Sequence, residues 1–457
     1  MNRVIVSIAI SLLLGGCAAI PPRDRPSPVV ATPATWSAQS RNVAAIVGKT
    51  WWEQFNDPEL TRLIQEALQS NADLATLAER VELARAEGRF ATANARPSAS
   101  GTTGYRAGKE HTRESGFQTV SVMPWTAGGA FGWELDWLGK WRDRSAAAEQ
   151  RVVASEADLN AGRLLLAAEV ATAWFRLQRY RAAVEILEAS LKRQSEILTI
   201  YRDRFRAGIL EVSVVERQEA EAADLRRQQV RTRMLAETQV RLLDRLRGGV
   251  AGEREYLGRG AKLRAAVPTL PASLTADTLR RRPDLVAAEA RLQEAFSLER
   301  AARLDLFPSL SLRLTGTTAS GSLTDPFQNW ISEVGPRLDL PIWDPERLAQ
   351  SRLHSARAKV AAAEYRAVAL RAVEDVEVAF LRFHHRQIES ELAGEIVIKA
   401  RNVRDQTDDK RRAGIVSRLE VLEDERRALA AELSELAIHT QLLTDVVAVF
   451  RAMAIQG

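Results

Sequence analysis

The chain has 457 residues, enough for two or three ordinary domains, and it is rich in the helix formers Ala, Leu, Glu and Arg. Its formal net charge is +5, but basic and acidic residues are interspersed, as on solvated helix faces, and no basic patch for nucleic acid stands out. One cysteine, Cys17, excludes an internal disulfide.

The N-terminus reads as a secretory signal over residues 1–16: Asn2-Arg3, a short apolar run from Val4 to Leu14, then Gly15-Gly16-Cys17. The run is too short to span a bilayer. Leu14-Gly15-Gly16-Cys17 is similar to a bacterial lipobox, which implies covalent lipid on Cys17. An ordinary signal followed by a buried cysteine is the alternative. Residues 17–58 are Pro-, Ala-, Thr- and Ser-rich at the start and read as a lipidated tether.

Asp57-Pro58 marks a helix start, with Pro58 at the first helical position. Asn71-Ala72-Asp73-Leu74 restarts a helix that Pro97 stops. Two strand candidates follow. The first, Pro97 to about Lys109, alternates weakly. In the second, Trp125, Ala127, Gly129, Phe131, Trp133, Leu135 and Trp137 recur every second residue. Its length fits a tilted membrane strand, and a soluble half-buried strand fits the same pattern.

From Arg142 to Phe205 the chain has a heptad seam of two positions: Val170, Leu177, Val184, Leu191, Leu198 and Phe205, and three residues on Ala173, Tyr180, Leu187, Gln194 and Tyr201. This predicts one long supercoiled helix. Ala207-Gly208-Ile209 breaks it, and another helix follows to about Arg247. The second half repeats these landmarks. Arg282-Pro283-Asp284-Leu285 echoes Asn71-Ala72-Asp73-Leu74, and Phe307-Pro308-Ser309 echoes Arg96-Pro97-Ser98, each 211 residues on. Leu338-Asp339 echoes Leu135-Asp136 after 203 residues, and Ala413-Gly414-Ile415 echoes Ala207-Gly208-Ile209 after 206. A last seam runs through Ile415, Leu422, Leu429, Leu436, Leu443 and Phe450.

The order helix, strand, strand, long helix, turn, helix therefore occurs twice. Residues 59–248 form the first repeat, 249–281 a connector and 282–457 the second repeat. Each repeat offers one hairpin. A membrane barrel needs at least eight strands and no open edge, so four strands per chain cannot close alone, and three chains with twelve strands can. The short helices sum to roughly the long one, so they could stack end to end beside it. The expected fold is mainly α with a membrane β part: a trimeric 12-stranded β-barrel continued by a long α-helical coiled-coil barrel, with an internal duplication.

With these motifs in hand, the sequence resembles the TolC-like outer-membrane factors, specifically the NodT-type lipoprotein branch of resistance-nodulation-division efflux systems. The resemblance rests on Leu14-Gly15-Gly16-Cys17, Trp51-Trp52 through Phe55-Asn56-Asp57-Pro58-Glu59-Leu60, Arg281-Arg282-Pro283-Asp284-Leu285, Phe307-Pro308-Ser309 and the two Ala-Gly-Ile tips. It covers nearly the whole mature chain. It implies a homotrimeric exit duct for small molecules in the outer membrane of a Gram-negative bacterium, lipid-anchored, with a large periplasmic part. The implied partners are a periplasmic adaptor and, through it, an inner-membrane pump. The adaptor would dock on the tips Ala207, Gly208, Ile209, Ala413, Gly414 and Ile415. Acidic rings at Glu420 and Glu423 would form the pore constriction; the first repeat has Val214 and Arg217 there. The plain alternatives are solvated helix acids for the two Glu and ordinary helix C-caps for the two Gly.

No enzyme signature appears. The five histidines lack metal-ligand spacing, and there is no nucleophile elbow, dinucleotide fingerprint or phosphate loop. No cofactor beyond the lipid on Cys17 is expected. A periplasmic coiled-coil adaptor or scaffold lipoprotein without a pore is the alternative function.

Overall fold

The fold is given by a computed structural model that describes residues 50–105, 109–111, 119–121, 125–250, 252, 266–268, 270, 279–320 and 329–454. The signal segment, Cys17, most of the tether and most of the connector lie outside the described residues.

Helix starts follow the capping residues. Asp57 accepts from the backbone N–H of Glu59 and Leu60 and opens α1, Pro58–Ser70. Asn71 accepts from Leu74 N–H at 2.9 Å and opens α2, Ala72–Asn94. The two long helices are α3, Lys140–Arg206, of 67 residues, and α6, Pro345–Arg412, of 68. At 1.5 Å per residue each is about 100 Å long. After each comes a turn and a 35-residue helix: α4, Val212–Leu246, and α7, Arg418–Ala452. The second repeat opens with α5, Pro283–Leu304.

The short helices do stack end to end beside the long ones. α2 and α4 both pack along α3, and α5 and α7 both pack along α6. One side chain closes each joint. Asn71, which caps the start of α2, also donates its amide to the Leu246 carbonyl at the end of α4, at 2.8 Å. Arg282 stands 211 residues later and donates to the Ala452 carbonyl at the end of α7, at 2.8 Å. The duplication is thus visible as geometry.

The strands form one antiparallel sheet in the order β1-β4-β5-β6: Ser98–Tyr105, Trp125–Leu135, Ser309–Ser320 and Asn329–Asp339. The central β4–β5 pairing joins the two repeats, so among the described residues β1 and β6 are open edges. The sequence reading did not anticipate the extension of the first hairpin by β2, Lys109–His111, paired with β3, Thr119–Ser121.

Two expectations need correction. Trp51–Phe55, assigned above to the tether, is a buried 3-10 turn. Trp51 stacks on Phe450 at 5.5 Å and Phe55 meets Phe175 at 5.0 Å, so the turn is wedged between α7 and α3. Burying such rings contributes a few kcal/mol each, which an extended tether would forgo. The first of the two α3 heptad positions also departs from the core towards the tip. Val170 and Leu177 are buried, but Val184, Leu191 and Leu198 are only half-buried and Phe205 is exposed. The second heptad position holds better, with Ala173, Leu187 and Gln194 buried, and Ser190 and Ile197 are buried beside it. The cause is that α3 packs between α4 and α7, so its buried face is centred between two partners, not on one. The α7 seam holds better: Leu422, Leu436, Leu443 and Phe450 are buried, Leu429 is half-buried, and Ile415 is exposed in the turn before the helix.

Candidate functional site

The features a channel requires are a wall that separates lipid from water and an end that can be engaged and opened. The wall is set by register. Directly opposed residues of an antiparallel pair share a face. Phe131, Trp133 and Leu135 of β4 oppose Leu314, Leu312 and Leu310 of β5, which oppose Val334, Pro336 and Leu338 of β6. One face of the sheet is therefore a continuous apolar band. Small residues cross it higher up, where Gly101, Gly129 and Gly316 align. At the end far from the helices, Tyr105 and Trp125 sit 4.7 Å apart with Trp330 on the neighbouring pair of rows. Trp133 and Trp137 mark the helix end and are exposed. An apolar band between two aromatic levels is the profile of a bilayer-facing barrel wall.

The opposite face carries Ser, Thr and charge: Glu134, Arg313, Glu333 and Arg337 fall on it by the same register. Ile331 is a large apolar side chain on it, and Ala130 and Ala319 are small ones. A sheet with one oily and one charged face separates hydrocarbon from a wet interior.

The tips are two copies of one structure. At each, the glycine is left-handed, with φ 75° at Gly208 and 74° at Gly414. Gly208 N–H bonds to Phe205 O and Ile209 N–H to Arg204 O; Gly414 and Ile415 bond identically to Arg411 and Lys410. This is the Schellman arrangement, which ends a helix by satisfying its last carbonyls. Its usual companion is an apolar contact from the residue after the glycine back to the helix. Here the residues three from the end are Arg204 and Lys410, so Ile209 and Ile415 stay 69% and 72% exposed. A cap alone does not need an isoleucine in water. Near the second tip, hydrogen bonding by Arg411 holds the Asp408 carboxyl below the usual carboxylate range, and Arg412 adds to it.

Glu420 and Glu423 lie in the first turns of α7. Glu420 is exposed and accepts from the Ser417 backbone N–H at 3.1 Å and its hydroxyl at 3.0 Å. It therefore helps to cap α7, a role the sequence reading missed although Ser417 stands three residues before it. Glu423 is half-exposed with Arg427 at 3.9 Å. Asp424, one residue on, is buried and accepts from Thr407 of α6 at 2.7 Å. Asp57 was also read only as a cap; its second oxygen accepts from Trp174 Nε1 at 2.7 Å and ties α1 to α3. Among the described residues no group of His, Cys, Asp and Glu is arranged to hold a metal ion.

A two-faced sheet on the end of antiparallel helices about 100 Å long defines a segment of an outer-membrane channel wall. The sequence profile of the outer membrane efflux protein family matches residues 63–249 and 274–454, and the chain belongs to that family. The two matched stretches correspond to the two structural repeats. The chain is 28% identical over 98% of its length to the pyoverdine export outer membrane protein OpmQ of Pseudomonas aeruginosa, covering 95% of that protein. It is 28% identical to the probable efflux pump outer membrane protein TtgC of Pseudomonas putida, covering 99% of this chain and 96% of TtgC. In structure it is similar to the outer-membrane channel OprN, with a TM-score of 0.81, 26% identity, and 93% of this chain and 98% of that one covered. The protein is an outer-membrane component of an efflux system.

Proposed function

We propose that three copies of this chain close a twelve-stranded barrel in the outer membrane, continued into the periplasm by a tunnel of helices. The observation that carries this is the four-stranded sheet with one apolar face, one polar face and two open edges, β1 and β6. Backbone groups at open edges have no partner in hydrocarbon, so the edges must meet those of other copies. Cys17 carries lipid that adds an anchor beside the barrel. A periplasmic adaptor engages the exposed Ile209 and Ile415 at the tips and links the duct to an inner-membrane pump, which supplies the energy. Relatives of nearly equal identity are named for pyoverdine export, antibiotic efflux and toluene efflux. A shared exit duct accounts for such a spread, because the pump then chooses the cargo.

Glu420 and Glu423 form two acidic rings at the periplasmic end and favour cations there. The test is conductance in planar bilayers under a salt gradient. The unsubstituted protein should conduct with cation preference, and Glu420→Gln/Glu423→Gln should conduct with that preference reduced. Unchanged selectivity removes the two residues as the constriction. No conductance at all from correctly extracted protein removes the channel.

A further inference from the structure

The charges on the polar face of the sheet are not all matched. By register this face carries Glu134, Arg313, Glu333, Arg337 and Asp339. Two of them are matched by bases from the helices: Lys140 reaches Glu134 at 2.5 Å, and Arg347 reaches Asp339 at 3.1 Å. Arg313, Arg337 and Glu333 are exposed, and among the described residues they form no ion pair. Two arginines against one glutamate leave one uncompensated positive charge per chain on this face.

Arg313 has its level of the sheet almost to itself. Its neighbours across the strands are Gly132 on β4 and Gly335 on β6, and Ser98 on β1 lies beyond Gly132. Packing calls for neither glycine. A Cβ at Gly335 would meet nothing within 4 Å, and one at Gly132 only the Ser98 hydroxyl, at 3.8 Å. Neither glycine has a positive φ. What the pair provides is clearance. Directly opposed side chains on a sheet start about 5 Å apart, so a long side chain at either position would crowd or cover the guanidinium. With glycine on both flanks, Arg313 offers its whole planar fork of N–H donors, the geometry that takes phosphate, sulfate or carboxylate two bonds at a time.

The charges around it reinforce this on one side. Arg337 lies one level nearer the helices, opposite Ser311, and Glu333 lies one level further from them, opposite Thr315. Glu134 shares the level of Arg337 but is engaged by Lys140. Twelve strands spaced about 4.8 Å apart and tilted about 40° close a barrel roughly 24 Å across. The axis is then about 12 Å from the wall and nearer to a guanidinium, comparable with the screening length of about 10 Å at 0.1 M salt. A low-dielectric wall concentrates the field of like charges in such a lumen.

We propose that Arg313 of three copies forms a basic ring in the barrel lumen that binds multivalent oxyanions, solutes carrying phosphate, sulfate or several carboxylates. The proposal rests on the channel reading and adds to it a ligand-binding level inside the membrane part. It lies the length of α6, about 100 Å, from Glu420 and Glu423, and its charge is opposite to theirs.

The experiment uses the full-length protein extracted from membranes in mild detergent, with inorganic pyrophosphate titrated in a calorimeter. Ionic strength is kept low, since the screening length is about 30 Å at 0.01 M. The unsubstituted protein should bind pyrophosphate saturably, and more weakly as salt is raised. Arg313→Gln should weaken binding about tenfold or more, because charge-assisted bonds are lost. Arg313→Lys should recover only part of it, since a point charge replaces the fork. Gly335→Glu keeps Arg313 but sets a carboxylate opposite it, and should weaken binding as Arg313→Gln does. Arg89→Gln, the same change at an exposed arginine on α2, should leave binding as it is. Arg313 is exposed as well, so its replacement leaves the fold intact. A three-chain mass with no pyrophosphate binding, or with binding that survives Arg313→Gln, overturns the ring and leaves the channel standing. A single-chain mass for the unsubstituted protein brings down both.

Discussion

Gly208, Gly248 and Gly414 share one backbone conformation, with φ of 75°, 77° and 74°, yet their surroundings differ. A Cβ at either tip glycine would meet nothing within 4 Å, whereas at Gly248 it would lie 2.1 Å from the Ser70 carbonyl oxygen. A left-handed residue with a side chain costs about 1–2 kcal/mol on backbone grounds alone. Gly208→Ala and Gly414→Ala should therefore lower stability by about that amount, and Gly248→Ala by clearly more, as read by thermal loss of helical circular dichroism. Equal effects at all three would mean that the contact with Ser70 relaxes freely. His439 offers a second test at this scale. Burial on α7 pushes its pKa below the ordinary histidine value, against a smaller opposing pull from Glu435. The unfolded chain then binds the extra proton more readily than the folded one. The stability that neutral His439 permits is complete above the unfolded value, about 6.5, and is lost as pH falls through it towards the folded value. Melting temperature should drop less on acidification in His439→Gln than in the natural protein.

At the scale of elements, the joints decide whether two short helices act as one column. Asn71→Ala removes the acceptor for Leu74 N–H and the donor to Leu246 O together, and should cost about 1–3 kcal/mol. Arg282 is buried and reaches the Ala452 and Ala372 carbonyls as well as Asp284 and Asp375. Lys has a single ammonium in place of this fork, so Arg282→Lys should recover little of the stability lost in Arg282→Ala. Full recovery in denaturant titrations would mean that charge, not geometry, holds the joint. The helix starts at both joints were legible in the sequence, because Asn71 and the Arg282-Pro283 step precede periodic apolar runs. Their reach was not, since the Asn71 amide bonds a carbonyl 175 residues away. The same limit applies to the strands. The aromatics of β4 made its alternation plain, while β1 is Ser-Ala-Ser-Gly-Thr-Thr-Gly-Tyr and carries almost no apolar signal of its own. Its faces are defined only by pairing with β4.

On the scale of the whole molecule, the duplication could be read from four echoed landmarks in order, and strand number against barrel closure then pointed to three chains. The neighbours of each helix could not be read that way. Heptads name a buried stripe but not how many helices share it, which is why of the two α3 heptad positions the one with Leu187 and Gln194 stays buried towards the tip, together with Ile197, while the one with Leu191 and Leu198 does not. α7 shows the complementary ambiguity: by length and composition it could cross a membrane, but half of its most apolar window is buried, and it packs along α3 and α6. The exposed apolar residues of α2, α4 and α6 had no sequence signature that distinguished them from core. A closed barrel wall depends above all on the open sheet edges finding partners in other copies. The direct measurement is the mass of the protein extracted from outer membranes in mild detergent, corrected for bound detergent. A mass near three times the 50.6 kDa chain is the expected result, and a monomer released into buffer without detergent would contradict the account at its centre.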